Sequence, residues 1–571
     1  MFDIFYKDEN YDVTIHKILY IIRKLHISVL EDTSETCSGI YSTRLTVEGL
    51  GFGCNGKGFS RDQSRASAYA EFIERLQNQA LFKFSYPIDY ESLRQMPYIY
   101  AQDEIAFYDI ASNETEKFLE GEEKGELGTV YVLPYERIDE SKVYIPAKHC
   151  EHAYGSNGMC AGNTKKEALV HGICEIFERY VNKRAIFEEN FTAPIIPLKY
   201  YYANKNIMDF IDNNSNYDVE VRDFSFNHNL PVVGLIIYKR KSSKYFVKFG
   251  SHPILHVAIE RCVTELLQGR NLVDSNKWFR EFSFSNHGMN NNENFIKIFR
   301  NGDGDYPYGM FSCNYTYEYN NIWYNDEIKK SGNEEYYQYL LKIIKYNNWE
   351  LLVRDVSFLG FPSYHVIIPG LSEITTINTK YIKKMKHLSI LRKQLRVIST
   401  CDKDGLKDIV SYIRIYYNEE RYSLADILCL PLSGDSIFSK TPALLLGFYI
   451  YLHLGWMDEA REYIKRLRDY SQNHTLDGNI FYSCLDEVFT SIYLKTLECD
   501  TVNFILQKFY EEDLIEFAVK TIALPEKYLK IFPVLTCFHC IDCNIRTQCK
   551  YTSYLNFHKD VLEGMMRYEN E

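Results

Sequence analysis

The sequence predicts a mixed α/β unit over residues 1–395 followed by an all-α unit over residues 396–571, and three observations carry that reading. Before about residue 395, apolar runs such as Pro231-Val232-Val233-Gly234-Leu235-Ile236-Ile237-Tyr238 and Tyr364-His365-Val366-Ile367-Ile368-Pro369-Gly370 are bounded by turn residues, as buried strands are. Beyond about residue 400 strand signals nearly vanish, and 443–454, 458–469 and 478–497 read as amphipathic helices. Between the first two of these, Leu454-Gly455-Trp456-Met457 supplies a helical-hairpin turn, the spacing of a tetratricopeptide-like pair. The Asn- and Tyr-rich stretches 290–294 and 315–323 show neither period and read as surface insertions.

Within the first unit one block occurs twice. Gly58, Ser60, Glu71, Glu74 and Arg75 recur, each 104 residues on, as Gly162, Thr164, Glu175, Glu178 and Arg179. A glycine, then a hydroxyl, then a helix ending Glu-x-x-Glu-Arg is therefore a repeated device. At helical spacing Ser64, Ser67, Glu71 and Glu74 share an arc of about 80°, and so do Glu167, Glu175 and Glu178. One such helix alone would be a solvated acidic face. Two copies argue for a shared ligand. Carboxylates one turn apart repel unless a cation sits between them, and oxygen donors of this kind suit a hard divalent ion such as magnesium.

A third helix is predicted from Pro253 toward Gly269, with Arg261, Glu265 and Gln268 within an arc of about 60°. Gly51-Phe52-Gly53-Cys54-Asn55-Gly56-Lys57-Gly58 nearly matches a P-loop, but Gly58 stands where a Ser or Thr hydroxyl must ligate magnesium, so that reading is set aside.

Composition narrows the partners. With 65 Lys+Arg against 77 Asp+Glu the net charge is −12, which argues against nonspecific binding to nucleic acid or an anionic membrane. The acidic N-terminus lacks the basic and apolar regions of a secretory signal, and the expected location is cytoplasmic. The 15 cysteines then read as reduced thiols. Four of them, Cys537, Cys540, Cys543 and Cys549, follow a C-x2-C-x2-C-x5-C spacing that favours zinc or an iron–sulfur cluster over disulfides. His171 and His256 lie on the acid-bearing helices and read as packed residues.

The run Asn55-Gly56-Lys57-Gly58 leading into Glu71-Phe72-Ile73-Glu74-Arg75, the run from Ser156 to Thr164 leading into Glu175-Ile176-Phe177-Glu178-Arg179, and the segment from Glu260 to Arg270 together resemble the ATP-binding core of the YcaO family. The resemblance covers roughly residues 1–395 and is nearest to the free-standing bacterial branch, which carries a tetratricopeptide-like C-terminal region and forms homodimers. It implies a non-Walker ATP site between helices. Glu71, Glu74, Glu167, Glu175, Glu178 and Glu265 would hold magnesium on the phosphates, while Arg75, Arg179 and Arg261 match basic positions. Ser67, Cys160 and Asn163 would occupy nucleotide-contact positions, with Lys7 and Thr14 joining from the N-terminal segment; serine is usual where Cys160 stands. Acids around a triphosphate are tolerable only with bridging metal and arginine forks on the free oxygens.

The resemblance also implies chemistry. YcaO enzymes phosphorylate a peptide-bond oxygen after nucleophilic attack, yielding azoline, amidine or thioamide. The azoline-forming branch ends in a proline-rich tail, whereas this sequence ends Met566-Arg567-Tyr568-Glu569-Asn570-Glu571. The leading expectation is thus assistance to β-methylthiolation of an aspartate in the twelfth small-subunit ribosomal protein, beside a radical methylthiotransferase or sulfur-delivery protein. Backbone amide activation of a protein or peptide substrate is the alternative, and a nucleotide-switched scaffold that recruits partners through its helical unit is a third.

Overall fold

The computed structural model describes residues 6–78, 100–101, 131–266 and 278–568, apart from 38, 189–190, 203–204, 213–215, 227, 286–291, 303, 321–322, 324–331, 376–378, 475, 495–498 and 538–539. Helix α1 (Tyr11–Lys24) buries Ile15, Ile18, Ile21 and Ile22, one apolar stripe at helical spacing. It packs against α2 (Arg61–Gln77), and both share a core with the antiparallel meander β1 (Val29–Cys37), β2 (Ile40–Val47) and β3 (Gly53–Gly58).

The duplicated block is a duplicated strand-to-helix joint. In the first copy β3 runs into α2, where the Ser60 hydroxyl accepts a hydrogen bond from Gln63 N at 3.1 Å. In the second, the strand Met159–Ala161 runs into a helix at Lys165–Phe187, and the Thr164 hydroxyl accepts from Glu167 N at 3.2 Å. Each hydroxyl satisfies one of the orphan N–H groups of a helix start. Glycine precedes each because a Cβ on Gly58 would stand 2.7 Å from Gln63 Cβ, and one on Gly162 would stand 2.7 Å from Ala168 N. The helix must begin almost on top of the strand that feeds it.

Between the copies lie β4 (Tyr100–Ala101), β5 (Tyr131–Glu136) and β6 (Lys142–Pro146), followed by the strand already met, β7 (Met159–Ala161), and its helix α3 (Lys165–Phe187). Next come β8 (Tyr217–Asp223), β9 (Val232–Lys239), β10 (Lys244–Ser251), α4 (Leu255–Leu266) and β11 (Arg280–Glu281). The first unit closes with α5 (Asn333–Tyr346), β12 (Leu352–Asp355) and β13 (Ser363–Ile367). One sheet runs β4-β5-β12-β13-β7 with β6 paired to β5, and another runs β11-β10-β9-β8. Strand β9 is the expected apolar run, and its alternation divides two cores: Val232 and Ile236 pack with α3, Val233, Leu235 and Ile237 with α4.

The second unit is helical, as expected. Its principal helices are α6 (Thr379–Arg396), α7 (Lys403–Tyr416), α8 (Ala443–Leu454), α9 (Met457–His474), α10 (Leu476–Leu494), α11 (Glu512–Ala523) and α12 (Tyr551–Tyr568). Gly455 ends α8 at φ +77°, a left-handed cap that turns the chain directly into α9. Residues from Leu388 to Ile545 form one apolar core. Helix α12 leaves that core: Phe557 and Val561 pack into the core of α1 and α2, and Phe557 meets Phe52 with ring centroids 5.4 Å apart.

One expectation is corrected and a second holds in part. Within 290–294 the described part opens a helix, Asn292–Asn301, and Asn294 is buried, exchanging hydrogen bonds with the Asp305 backbone. Within 315–323 the residues from Tyr315 to Asn320 are exposed or half-buried, as expected of a surface stretch, whereas Trp323 is 5% exposed. Asparagine and aromatic side chains satisfied by packing and backbone partners carry no period, so the sequence pattern misses them.

Candidate functional site

Helices α2, α3 and α4, each backed by a strand, turn their polar stripes onto one cavity of about 520 Å³. Ser67, Glu71, Glu74 and Arg75 come from α2, and Glu167, Glu175, Glu178 and Arg179 from α3, with Asn163 just before it. Arg261 and Glu265 come from α4, and Lys7 and Thr14 close the wall from the N-terminal segment. The remaining expected contact residue, Cys160, is fully buried beneath the cavity, its thiol 3.6 Å from Tyr364 O. A Cβ on Gly172 would sit 2.8 Å from Cys160 Sγ, so this thiol is packing for α3 on β7 and does not line the cavity.

Five of the six expected acids are paired with a cation. Arg75 lies 3.5 Å from both Glu71 and Glu74, Arg179 Nη2 is 2.5 Å from Glu175 Oε1, and Lys57 Nζ is 2.6 Å from Glu265 Oε1. Glu167 accepts from Lys7 Nζ at 3.0 Å, Asp8 N at 3.0 Å and Asn163 Nδ2. Thr14 Oγ1 in turn donates to Asn163 Oδ1 at 2.9 Å, so the N-terminal segment is strapped to α3. Arg261 Nη1 donates to Ser251 O at 2.8 Å, anchoring its guanidinium at the end of β10.

These pairs do not neutralise the site. Burial, reinforced by Glu175 and Glu71, pushes the Glu74 carboxyl well above the usual carboxylate range in spite of Arg75. Burial and then the facing Glu265 also push Glu178 up. Glu265 itself is held down, because Lys57 and Lys248 outweigh its burial. Glu175 Oε1 is buried and ion-paired to Arg179 without hydrogen-bond geometry, so its acceptor capacity is not met. An oxygen-only donor set with an unsatisfied member fits a hard divalent cation bridging to phosphate. Among the described residues no three such side chains stand as a ligand set.

Sequence reasoning missed two members. Lys57 has no role of its own in the sequence reading, only a place in the P-loop-like run and in the family motif, yet β3 alternates, which puts Asn55 and Lys57 on the face opposite buried Cys54. His171 was set aside, but it sits one turn from both Glu167 and Glu175 and lines the same cavity. Burial, followed by Arg261, Lys7 and Lys57, holds its imidazole neutral.

The four C-terminal cysteines line a small second cavity with Leu430, Leu535 and Ile545, and all four are free thiols. Among the described residues they are not placed as a metal ligand set. His539 lies outside the described residues. No helix of the described residues is long and apolar enough to cross a membrane.

An acid-lined cavity between three strand-backed helices, threaded with arginines, has the chemistry that suits a metal-bridged polyanion. Residues 55–372 match the family model described as YcaO cyclodehydratase, ATP- and Mg2+-binding, and 389–536 match the YcaO cyclodehydratase C-terminal domain. The chain belongs to the YcaO family. It is 29% identical over 351 residues to the ribosomal protein S12 methylthiotransferase accessory factor YcaO of Escherichia coli, covering 56% of this chain and 57% of that protein. An uncharacterized protein of Haemophilus influenzae is 30% identical over 344 residues, with the same coverage. The matches thus span little more than half the length of these curated relatives. Among solved structures, YcaO from Methanopyrus kandleri bound with AMPPCP and Mg2+ is 18% identical, with a TM-score of 0.43 and coverage of 65% of this chain and 95% of that one.

Proposed function

We propose that this chain is a magnesium-dependent, ATP-hydrolysing YcaO protein that assists β-methylthiolation of an aspartate in the twelfth small-subunit ribosomal protein. The observation that carries the nucleotide part is the one cavity that all six expected glutamates and all three expected arginines line. The ribosomal part is supported by the name of the Escherichia coli relative. Glu71, Glu74, Glu175, Glu178 and Glu265 would hold magnesium, with Glu167 fixing the N-terminal segment over the site. Arg75, Arg179, Arg261 and Lys7 would take free phosphate oxygens, and Ser67, Thr14 and Asn163 supply neutral contacts. Bound ATP would supply a phosphoryl group that turns an amide-derived oxide into a leaving group. The chain's part is to position that group and neutralise its charge. A homodimer working in the cytoplasm with a radical methylthiotransferase or a sulfur-delivery protein completes this reading.

A second reading, backbone amide activation giving a thioamide, amidine or azoline, is supported by the cyclodehydratase description of the family. The zinc or iron–sulfur expectation at Cys537, Cys540, Cys543 and Cys549 gains only their shared cavity and carries no part of either reading. Mass spectrometry of the ribosomal protein and of total peptides from a deletion strain separates the cases. Loss of the methylthio increment supports the first reading and loss of a thioamide or azoline signature the second; unchanged masses with altered partner pull-down point to a scaffold.

A further inference from the structure

We propose that Asn333, a residue outside the cavity, is a positioning residue that brackets the chain on either side of Lys7 and so keeps the Lys7 ammonium over the bound nucleotide. The inference rests on the nucleotide reading above and adds a residue that acts on the site from behind.

The segment that carries Lys7 is tied down at several points. Tyr6 Oη accepts from Gln63 Nε2 at 3.0 Å, Lys7 Nζ and Asp8 N both reach Glu167, and Thr14 Oγ1 reaches Asn163. Asn333 adds a tie of a different kind. Its Nδ2 donates to Asp8 Oδ1 at 2.8 Å and to Tyr6 O at 3.3 Å, so the two N–H groups of one amide hold the residues immediately before and after Lys7. The other carboxylate oxygen of Asp8 accepts from the Thr164 hydroxyl that caps α3. With residues 6 and 8 held from that side, Lys7 is turned the other way. Lys7 and Glu9 line the cavity, whereas Asp8 and Asn333 do not.

The anchor sits on a packed element. Asn333 is 4% exposed and opens α5, whose Tyr336, Leu340 and Ile344 lie in the core shared with α3. Lys166 of α3 strengthens the joint, with Nζ 3.5 Å from Glu334 and 4.0 Å from the ring centre of Tyr337. In the nucleotide reading Lys7, Thr14 and Asn163 turn to the ligand, which breaks the ties of Lys7 to Glu167 and of Thr14 to Asn163. The Asn333 clamp uses no group assigned to the ligand, so it persists and holds the segment while Lys7 changes partner. A cation whose backbone is already fixed loses less freedom on meeting a phosphate, and the difference appears as affinity.

The test is Mg2+–AMPPCP binding by isothermal titration calorimetry on the full chain, in Asn333→Ala, Asp8→Ala and Lys7→Gln and in the two double variants built on Lys7→Gln. Asn333→Ala and Asp8→Ala should each bind about tenfold more weakly than wild type, the worth of one or two hydrogen bonds. In the Lys7→Gln background neither should weaken binding further, because no ammonium is left to place. A merely structural role would cost the same in both backgrounds. Asp8 is exposed, so Asp8→Ala carries the test if Asn333→Ala does not fold. The proposal is overturned if the folded single variants bind as wild type does, or if the full loss recurs without Lys7. Wild type that fails to bind Mg2+–AMPPCP would remove the nucleotide reading itself, and this inference with it.

Discussion

Gln77 and Ser363 are joined by a 2.6 Å hydrogen bond that ties the last turn of α2 to strand β13. The same buried amide donates to Phe361 O at 2.7 Å and accepts from Leu359 N at 2.7 Å. The helix that carries Glu71 and Glu74 is thus registered against the sheet that carries α3. Gln77→Leu strands a buried donor and acceptor, and the expected cost is about 3 kcal/mol by urea unfolding. Nucleotide affinity measured by calorimetry should fall as well, because Glu74 is only three residues upstream. Unchanged affinity in a folded variant would separate the two elements.

Glu178 makes the stability of the nucleotide-free protein pH-dependent. Its folded proton affinity is raised above the ordinary value of 4.5, so between that pH and its folded value the native state holds the proton more tightly than the unfolded one. Stability from this group is full below about pH 4.5 and is lost as pH rises. Glu178→Gln should therefore melt at the same temperature as wild type or higher at pH 8, with the difference closing toward pH 4.5. Magnesium-dependent ATP binding should be lost in the same variant. A variant that melts lower at pH 8 would show that Glu178 is satisfied without metal.

The return of α12 onto the first unit couples the chain's end to the site-bearing core. Phe557 is 8% exposed and packs on Phe52, which also meets Tyr554 at 5.2 Å. Phe557→Ala should destabilise the first unit by about 3 to 5 kcal/mol. Limited proteolysis should then cut within residues 6–78 before the helical core of 388–545. The reverse order of cutting would confine α12 to the second unit.

The four-cysteine segment is open to direct chemistry. Burial, together with the neighbouring thiols, pushes Cys537 up to about 11, so at pH 8 only about a thousandth of it is thiolate. Iodoacetamide labelling read by peptide mass spectrometry should modify exposed Cys313 well before Cys537. Release of stoichiometric zinc or iron as the four cysteines are labelled together would turn the cluster into a metal site.

How far the sequence reached follows from the range of each interaction. The glycine, hydroxyl cap and acid stripe of both repeats were legible because caps and 3.6-residue periodicity act within one or two turns. The apolar run of β9 and the helical second unit were legible for the same local reason, and Gly455 marked its own turn. Lys57 pairing with Glu265 spans 208 residues and exists only because β3 and α4 line one cavity. Cys160 matches a contact motif in sequence, yet the pairing of β7 with β13 and the closeness of Gly172 keep it under the cavity floor. Helix α12 reads as the tail of an all-α unit, and only the apolar face left by α1, α2 and Phe52 draws Phe557 and Val561 back. The sequence by itself determined which side chains share a helix face, since that needs only the chain's own geometry. Which faces meet, and which acid holds which cation, was decided by strand order and core packing, which bring distant residues together and leave no periodic trace.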